Sequence, residues 1–415
     1  MMKIEILGSG CEVGRSAILI NDKTKILLDC GVKLQPEPPE YPFIEKCNGI
    51  IITHAHLDHC GAAPIYYKRW DPPIYMNDVT QELSRLLILD SMKVAKKQGF
   101  GVPFSMKEVR TMEKYTKLVN YYKKFKIGGF DCCLYDSGHI PGSSGILLEK
   151  NGKRIYYTGD IQTVDSHLLH KCHTPTNIDV LIIESTYSYK NHPDKKKEEK
   201  LFLESIDEII AKEETVLIPV FAIGRAQEIL LILEKYADKI ALDGMAKSAS
   251  DIISNHENYI KEPKKFQKIL KRVNWIETQK ERENAIRNYP IIVSSAGMLG
   301  GGPAIHYLRQ IQKRPESKVV FCGFLVEDSP GRNLIQTKVF QNAEEKFHVH
   351  AELEQFDLSA HTDRNGLLNI IERTKPKNVI CVHGERCEEF AKEIEEKYEI
   401  QAYAPKNGQI VEIKD

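Results

Sequence analysis

Short apolar runs alternate with polar turns through the first half of the chain, and this pattern predicts β-strands. The runs KIEIL, AILI, KILLDCG and GIIITH are rich in β-branched residues and are bounded by turn-forming residues. Asn151-Gly152 separates the runs GILLEK and KRIYY, which predicts a tight β-hairpin. Two helices are expected before it, in DVTQELSRLLILDSMKVAKKQG and in a stretch that begins at Ser105, where Glu108 completes a capping box. This half therefore predicts sheets with helices packed on them.

The pattern changes near residue 190, where strands and helices begin to alternate. A charged helix is predicted in NHPDKKKEEKLFLESIDEIIAKEE, and strands are predicted in TVLIPV, KIALDG, PIIVSSA and KVVFCGF. Strands separated by helices are typical of a parallel α/β unit. From about residue 358 the stretch LSAHTDRNGLLNIIERT leads to the strand NVICVHG and a final helix. We therefore predict an α/β protein in which a unit of residues 189–357 is inserted between segments 1–188 and 358–415.

The composition excludes several classes of protein. The 58 Lys and Arg residues balance 58 Asp and Glu residues, so no global field attracts the chain to nucleic acid or membrane. No apolar run is long enough for a membrane span, and MMKIEILGSG reads as a strand rather than as a secretory signal. The ten cysteines form no C-x-x-C pair. We therefore expect buried, reduced thiols in a cytoplasmic protein with no membrane partner.

The stretch IIITHAHLDHC places metal-binding side chains directly after a buried strand. His54 and His56 are two residues apart, so an extended backbone directs both to one side. Asp58 and His59 follow where the chain turns towards a helix. Imidazole and carboxylate ligands suit zinc, and manganese or iron less specifically. Four such residues exceed the needs of one tetrahedral site with an open position, which predicts two metal ions rather than a loop with incidental histidines.

Further candidate ligands follow other apolar runs. His139 lies in YDSGHIPGSSG, Asp160 ends RIYYTGD, and His383 follows NVICV, so all three are expected at one sheet edge. Each alone is a weak signal, because a strand-end histidine often makes only hydrogen bonds. Asp29 in ILLDCG is a candidate carboxylate that orients a ligand histidine, and a plain turn residue fits its spacing equally well. The predicted ligands are His54, His56 and His139 for one metal and Asp58, His59 and His383 for the other, with Asp160 bridging them.

The motifs together resemble those of a known family. THAHLDH is similar to the signature of the metallo-β-lactamase superfamily, and ESTY (184–187), SAHTD (359–363) and VHGE (382–385) resemble three further motifs of its β-CASP branch. That branch includes the nuclease subunit of the cleavage and polyadenylation factor, its archaeal relatives and ribonuclease J. The resemblance extends over nearly the whole chain through EVGRS, IPVFAIGRAQEIL, LDGMAKS, SSAGMLGGGP and GR (331–332). It implies a metallo-β-lactamase αββα sandwich with an inserted α/β (β-CASP) domain.

The resemblance also implies an activity, the hydrolysis of phosphodiesters by two zinc ions. His361 matches the histidine that protonates the leaving oxygen, and Glu184 matches the acid that orients it; with the ligand Asp58 they form the expected catalytic group. Members that act on RNA carry histidine at the position of His383, whereas DNA-repair members tend to carry valine, so single-stranded RNA is the expected substrate. The KH-type domains of archaeal relatives and the C-terminal extension of ribonuclease J have no counterpart in this sequence.

Phosphate contacts are expected in the inserted unit. SSAGMLGGGP, residues 294–303, links a predicted strand to a helix that begins near Pro303. Successive N–H groups in such a turn form an anion-binding concavity, although a plain strand-to-helix connection is an equally good interpretation. A 5′-terminal phosphate bound there would make the protein a 5′→3′ exonuclease, with endonuclease cutting of long RNA also expected. The candidate phosphate ligands are Ser295, Gly300, Gly301, Gly302, Arg225 and Arg332.

Two other functions compete with a zinc-dependent ribonuclease. Hydrolases of the thioesterase or glyoxalase type lack the long insert between ESTY and SAHTD. A catalytically inactive RNA-binding scaffold is expected to have lost ligands, whereas every ligand position is filled here. The stretch CVHGERCEEFAKEIEEKYEI also offers a surface for a homodimer.

Overall fold

A computed structural model describes residues 2–35, 38–323, 325–326 and 329–413. The strands are β1 Met2–Gly8, β2 Ala17–Asn21, β3 Lys25–Leu28, β4 Gly49–Ile51, β5 Ile74–Met76, β6 Thr116–Leu118, β7 Lys124–Ile127, β8 Phe130–Asp136, β9 Ser144–Lys150, β10 Lys153–Tyr157, β11 Val180–Glu184, β12 Val216–Pro219, β13 Ile240–Asp243, β14 Asn274–Trp275, β15 Ile291–Ser294, β16 Lys318–Cys322, β17 Val339–Gln341, β18 Lys346–His348, β19 Glu352–Phe356, β20 Asn378–Val382, β21 Gln401–Tyr403 and β22 Ile410–Ile413. The α-helices are α1 Leu57–Cys60, α2 Asp78–Lys97, α3 Met106–Tyr115, α4 Lys195–Ala211, α5 Arg225–Ile232, α6 Met245–Asn255, α7 Pro263–Leu270, α8 Gln279–Asn288, α9 Pro303–Ile311, α10 Pro330–Thr337, α11 Arg364–Thr374 and α12 Cys387–Tyr398. None of the helices in these ranges is long and apolar enough to cross a bilayer.

The chain folds into two compact units. The first consists of Met1–Asp165, His170–Asn191 and His361–Asp415, and the second of Ser166–Leu169 and His192–Ala360. The first unit contains two seven-stranded sheets, in the orders β22-β1-β2-β3-β4-β5-β6 and β21-β20-β11-β10-β9-β8-β7. The second unit is built around one six-stranded sheet.

The two sheets of the first unit share one apolar core. Ile18 and Ile20 of β2 belong to the same buried cluster as Leu148 of β9 in the other sheet. Their neighbours Ala17 and Leu19 point to the opposite face and pack in a second cluster beneath α2 and α3. Because successive side chains alternate between faces, a strand covered on both sides has to be apolar throughout. This double burial explains the uninterrupted apolar run AILI.

Helices cover the outer faces of both sheets. Ile88 of α2 and Val109 of α3 pack on the first sheet. Leu367 of α11 and Phe390 of α12 pack on the second sheet. The predicted αββα sandwich is therefore confirmed.

Two local predictions are also confirmed. Asn151 and Gly152 have φ values of +51° and +78° and connect β9 to β10, which is the left-handed backbone that a tight hairpin turn requires. At the start of α3, the carboxylate of Glu108 accepts a hydrogen bond from the Ser105 N–H at 2.8 Å, as a capping box requires.

The sheet of the second unit is parallel throughout, in the order β14-β13-β15-β12-β16-β19. Ala285 of α8, Leu308 of α9 and Leu334 of α10 pack in one cluster with Val319 of β16. The helix predicted in GRAQEILLILEKYA is shorter than expected: α5 ends at Ile232 because the next residue leaves the helical region, and a 3₁₀ helix follows at Glu234–Lys239.

Strand direction determines where polar side chains gather in the first unit. β10, β11 and β20 are parallel to one another, and β8 runs the same way because two antiparallel steps separate it from β10. In the other sheet β3 and β4 are parallel. The carboxyl ends of each set therefore lie at one edge of their sheet, where polar loops are not buried by a following strand.

Candidate active site

The predicted metal ligands all follow strands of the first unit. The chain around these ligands is closely packed. A Cβ atom on Gly31 would lie 1.6 Å from the carbonyl oxygen of Asp58, so only glycine allows the backbone at residue 31 to come this close to Asp58. The strand-end positions are Asp29 after β3, His54 and His56 after β4, His139 after β8, Asp160 after β10, Glu184 at the end of β11 and His383 after β20.

One group of side chains comprises three histidines and one aspartate. The Nδ1 atom of His56 lies 3.2 Å from His54 Nε2 and 3.2 Å from His139 Nε2. Asp160 Oδ2 lies 3.5 Å from His54 Nε2 and 3.6 Å from His139 Nε2. One ligand atom from each of these four residues falls within 4.8 Å of the others, which is the spacing of side chains that surround one metal ion.

A second group lies on the other side of the same aspartate. Asp58 Oδ2 lies 3.3 Å from His383 Nε2 and 3.9 Å from His59 Nε2. Asp160 Oδ1 lies 3.3 Å from His59 Nε2 and 3.5 Å from His383 Nδ1. The two oxygens of Asp160 thus face different groups, as a bridging carboxylate requires.

The chemistry of these atoms fits bound metal. In the described part of the chain, Asp160 Oδ1 is buried and has no hydrogen-bond partner. Buried polar atoms without a partner are uncommon in folded proteins and cost free energy unless another ligand satisfies them. Imidazole nitrogens and carboxylate oxygens are ligands that zinc accepts. The residues present therefore fit a metal centre.

Burial and charge set the protonation state of three of the predicted ligands, His54, His56 and Asp160. Burial, and then the neighbouring His59, lower the pKa of His54 well below its usual value, and burial also lowers the pKa of His56, so both rings are neutral and free to bind a cation. Burial alone would raise the pKa of Asp160, but His59 and His383 beside it hold that pKa well below its usual value. The bridging position is therefore an ionised carboxylate.

Asp29 contacts one of the predicted ligand histidines, His59. It is fully buried, and its Oδ2 atom accepts a hydrogen bond from His59 Nδ1 at 2.7 Å and another from the Tyr157 hydroxyl at 3.0 Å. Its Oδ1 atom accepts the backbone N–H of Thr53 at 2.7 Å. With Nδ1 committed to Asp29, the Nε2 atom of His59 is the one that faces Asp58 and Asp160.

His361 and Glu184 form a pair beside the first group. The Nδ1 atom of His361 lies 3.0 and 3.1 Å from the two oxygens of Glu184, and a carboxylate only accepts, so Nδ1–H donates. The other nitrogen, Nε2, lies 3.8 Å from Asp160 Oδ2. Glu184 is fully buried, whereas 19% of the His361 side chain is exposed. Burial by itself would lower the pKa of His361, but Glu184 and Asp160 raise it to about 9.

Some residues that shape the site have no signal in the sequence. The Thr186 hydroxyl lies 3.2 Å from His383 Nδ1, and the Tyr157 hydroxyl contacts Asp29 from another strand. The Gln162 side-chain amide donates to the carbonyl of His361 at 3.0 Å. Such contacts join residues far apart in the chain. Thr186 lies within the ESTY motif and Tyr157 within RIYYTGD, but neither pattern indicates which side chain each would contact.

The candidate phosphate-binding residues lie in the second unit, at the carboxyl ends of its strands. Gly302 is the N-cap of α9 and has φ +74°. Gly244 caps α6, and a Cβ atom added to it would lie 3.0 Å from Ser295 Oγ and 2.8 Å from Pro303 Cγ, so the two helix N-termini lie side by side. Ser295 Oγ accepts the N–H of Ala246 at 3.0 Å.

The remaining candidate phosphate ligands differ in their position relative to this turn. Gly300 and Gly301 face open space, since an added Cβ would meet no atom within 4 Å. Arg332 lies in the first turn of α10, which is tied to the turn by the Gly331 N–H donating to the Met298 carbonyl at 2.9 Å. Arg225 begins α5 and lies beside Gly323, where an added Cβ would be 3.8 Å from its Nε atom.

Comparison with known proteins agrees with this architecture. Residues 24–199 match the β-lactamase superfamily domain, residues 226–334 the β-CASP domain, and residues 346–405 the Zn-dependent metallo-hydrolase RNA specificity domain. A probable RNase, MJ4, of Methanocaldococcus jannaschii is 39% identical over 400 residues, which cover 92% of this chain and 93% of that protein. An RNase J-like protein of the same organism is 34% identical over 435 residues and matches along the full length of both chains. A crystal structure of a protein of unknown function from Enterococcus faecalis V583 has a TM-score of 0.61 at 15% identity, covers 99% of both chains, and shows likeness of fold alone.

A sandwich of two sheets whose strand ends gather histidines and aspartates in two groups defines a metal-dependent hydrolase of the metallo-β-lactamase superfamily. The inserted parallel α/β unit and the similarity to the relatives narrow this class. The chain belongs to the β-CASP family.

Substitution of His361 and of Glu184 tests the division of roles within the pair. We expect His361→Ala to retain metal and to lose turnover by roughly a hundred- to ten-thousand-fold, as is usual when a general acid is removed. A general acid acts only while protonated, so the rate falls as the pH rises through the pKa of His361. Because Glu184 raises that pKa, Glu184→Gln should move the alkaline limb of the kcat/KM profile to lower pH.

The measurements are metal content and kcat/KM against pH for the three proteins. Loss of metal from His361→Ala would make His361 a ligand rather than a proton donor. An alkaline limb that stays in place in Glu184→Gln would show that another group protonates the leaving oxygen.

Proposed function

We propose that this protein is a zinc-dependent ribonuclease that hydrolyses phosphodiester bonds of single-stranded RNA. The observation that carries the proposal is the pair of ligand groups joined by Asp160, with His361 beside them. Each group offers imidazole nitrogens and carboxylate oxygens, which supports zinc, and there are two groups, which supports two ions per chain. The ligands are His54, His56 and His139 for one ion, Asp58, His59 and His383 for the other, and Asp160 for both.

The side chains of this site divide the chemistry of hydrolysis among them. When bound, two zinc ions supply a nucleophile from water at neutral pH and neutralise charge that develops on the phosphate oxygens. His361 donates a proton from Nε2 to the leaving oxygen, because its Nδ1 proton is held by Glu184. His361 is the more accessible member of the pair, with 19% of its side chain exposed, which supports its role as the group that meets the substrate.

Several observations favour RNA over other substrates. His383 lies within the segment that matches the RNA specificity domain, and the relatives compared above carry names of RNases. The β-CASP insert distinguishes the chain from hydrolases of the thioesterase or glyoxalase type. An inactive scaffold is disfavoured because each predicted ligand is present and they gather in two groups.

The cellular setting is proposed on more general grounds. Every cysteine is a free thiol, and nine of the ten are buried, which suits the reducing cytoplasm.

A homodimer through α12 is proposed from sequence alone, and the exposed positions of that helix include Glu388 and Glu389 beside Lys392.

The metal content is the first measurable consequence. We expect the protein, freed of metal and reconstituted with zinc, to hold two zinc ions per chain by elemental analysis. His383→Ala removes a ligand of the second group and should lower the content towards one. His170→Ala is the matched control, since that histidine is exposed and pairs only loosely with Asp165 at 3.7 Å. A wild-type content of one ion that is unchanged in His383→Ala would contradict the dinuclear site.

The substrate class is tested with oligonucleotides of matched sequence. We expect the protein to cleave single-stranded RNA faster than single-stranded DNA and faster than duplex RNA, measured as initial rates on end-labelled strands. His361→Ala serves as the control that assigns the activity to this chain. Equal rates on RNA and DNA would refute the assignment.

The glycine turn of the second unit is proposed to hold the 5′-terminal phosphate of the RNA. The N-termini of α6 and α9 lie side by side there, and the positive ends of two helix dipoles favour an anion. Asp243 ends the neighbouring strand, and its negative charge is balanced by Arg282 at 2.6 Å. The proposed contacts are Ser295, Gly300, Gly301, Gly302, Arg225 and Arg332, and they make the enzyme a 5′→3′ exonuclease that also cuts long RNA internally.

Gly301→Val tests this turn without disturbing the metal ligands. A Cβ atom added at Gly301 would have no protein atom within 4 Å, so the variant should fold and should obstruct only a ligand. We expect it to lose the preference of the wild type for RNA with a 5′-monophosphate over RNA with a 5′-hydroxyl. Gly101→Val is a matched control, because an added Cβ there also meets open space. Full activity of Gly301→Val on both RNAs, or shortening of RNA only from the 3′ end by the wild type, would contradict the proposal.

A further inference from the structure

An exposed tyrosine and an exposed arginine lie against each other in the first unit. Tyr189 belongs to the loop that follows β11, and Arg386 belongs to the turn between β20 and α12. The guanidinium carbon of Arg386 lies 4.9 Å from the centre of the Tyr189 ring. Tyr189 is 45% exposed and the Arg386 side chain 55% exposed. Both flat groups are therefore accessible to a ligand.

A short series of rings connects this pair to the proposed proton donor. The ring of Tyr189 lies 6.4 Å from the ring of Tyr187, which is buried, and Tyr187 lies 6.2 Å from the ring of His361. The two exposed residues also follow the site residues closely in sequence, Tyr189 after Glu184 and Arg386 after His383. The pair therefore stands at the surface within two rings of the catalytic histidine.

The loop that carries Tyr189 is held in place by its backbone. The Lys190 N–H donates to the Tyr187 carbonyl at 3.2 Å, and the Lys190 carbonyl accepts from the Arg364 N–H at 3.0 Å. The ammonium group of Lys190 lies 4.8 Å from the centre of the Tyr187 ring. A ring presented by an ordered loop binds a ligand with little loss of conformational entropy.

The stability of the fold does not account for the pair. A cation–π contact between exposed groups contributes little to stability. Arg386 also lies 3.5 Å from Glu389, but both side chains are largely exposed, at 55% and 70%, and exposed ion pairs are worth little. A large aromatic side chain that is exposed near the proposed proton donor, with only the ring of Tyr187 between them, is better explained by binding.

We propose that Tyr189 and Arg386 form a stacking platform for one base of the RNA, next to the phosphodiester that is cleaved. This inference rests on the proposed ribonuclease function. Tyrosine rings and arginine guanidinium planes are the groups on which unpaired bases stack. Glu389 lies 3.5 Å from Arg386 and Glu388 lies 3.3 Å from Lys406, so the cations beside the pair are balanced by carboxylates, which favours the flat face of a base over a phosphate as the ligand.

Stacking tolerates every base because each has a flat face, so the platform contributes affinity and position rather than sequence specificity. It is a positioning element: it fixes the nucleotide beside the scissile bond while the metal ligands and His361 carry out the chemistry. Its loss should therefore raise KM more than it lowers kcat.

The first experiment compares variants of both residues on single-stranded RNA under steady-state conditions. Tyr189→Ala should raise KM by at least about fivefold, the lower end of what loss of one stacked base produces. Tyr189→Phe keeps the ring and should retain the wild-type KM. Arg386→Ala should raise KM in the same direction, with metal content unchanged in every variant.

Two control variants match the exposure of the pair. Tyr115→Ala removes a tyrosine that is 37% exposed and directly precedes β6. Strands β4, β5 and β6 are parallel, so the start of β6 lies at the edge of the sheet opposite the metal ligands that follow β4. Arg85→Ala removes an arginine whose side chain is 56% exposed and paired with Glu113. Both controls should retain the wild-type KM.

The second experiment moves a single abasic site along the RNA. For the wild type, one position should raise KM about as much as Tyr189→Ala does on intact RNA. With RNA abasic at that position, Tyr189→Ala should cause no further loss, because base and ring act through the same contact. Additive losses at every abasic position would overturn the platform.

The outcomes separate this inference from the function on which it rests. A wild type that leaves RNA intact contradicts the ribonuclease function itself. A wild type that cleaves RNA, with Tyr189→Ala as effective as Tyr115→Ala, contradicts the platform alone. If Tyr189→Ala and Tyr189→Phe both lower kcat and thermal stability while KM stays at the wild-type value, Tyr189 has a structural role, and this result also overturns the platform.

Discussion

The burial of one ionised carboxylate, Asp160, is the constraint around which the site is arranged. Only 2% of Asp160 is exposed, and a charge in such a place is costly unless cations or donors surround it. His59 and His383 face one oxygen, and His54 and His139 face the other. Both groups of ligands are thus defined by the same side chain. The Oδ1 atom of Asp160 has no hydrogen-bond partner among the described residues, which is compatible with a bound cation at this position.

The fold meets this constraint through strand direction. Four strands of one sheet and two of the other end where the ligands are needed, so each ligand sits only a few residues beyond a buried, rigid segment. Two site residues, Asp29 and His383, have left-handed φ values of +60° and +51°, which non-glycine residues seldom adopt. Such strain persists where surrounding contacts over-determine it, and here Asp29 is held by Thr53, His59 and Tyr157.

The sequence predicts well those features that depend on neighbouring residues, and it misses contacts between residues that are far apart along the chain. The H-x-H-x-D-H stretch, the Asn151-Gly152 hairpin and the capping box at Ser105 each depend on neighbouring residues, and the structure forms the hairpin and the cap as expected. The pairing of β22 with β1 joins the two ends of the chain, and no local pattern announces it. The hydrogen bond from Tyr157 to Asp29 likewise depends on how two sheets pack. His139, Asp160 and His383, which lie outside the first motif, are each a weak signal of a metal site when taken alone. Their convergence depends on contacts between residues far apart in the chain, so no local pattern predicts it.

The proposed site assigns histidine two functions, and burial and carboxylates act differently on the two histidines concerned. His54 is fully buried, and its lowered pKa keeps the ring neutral, so its nitrogens are available to a cation. His361 is partly exposed, and the carboxylate of Glu184 holds its Nδ1 proton and raises its pKa to about 9, so the ring carries a second proton on Nε2 at neutral pH. A ligand needs a free lone pair, whereas an acid needs a proton to give. Glu184 therefore does for His361 what burial does for His54: each favours the protonation state that the proposed role of its histidine requires.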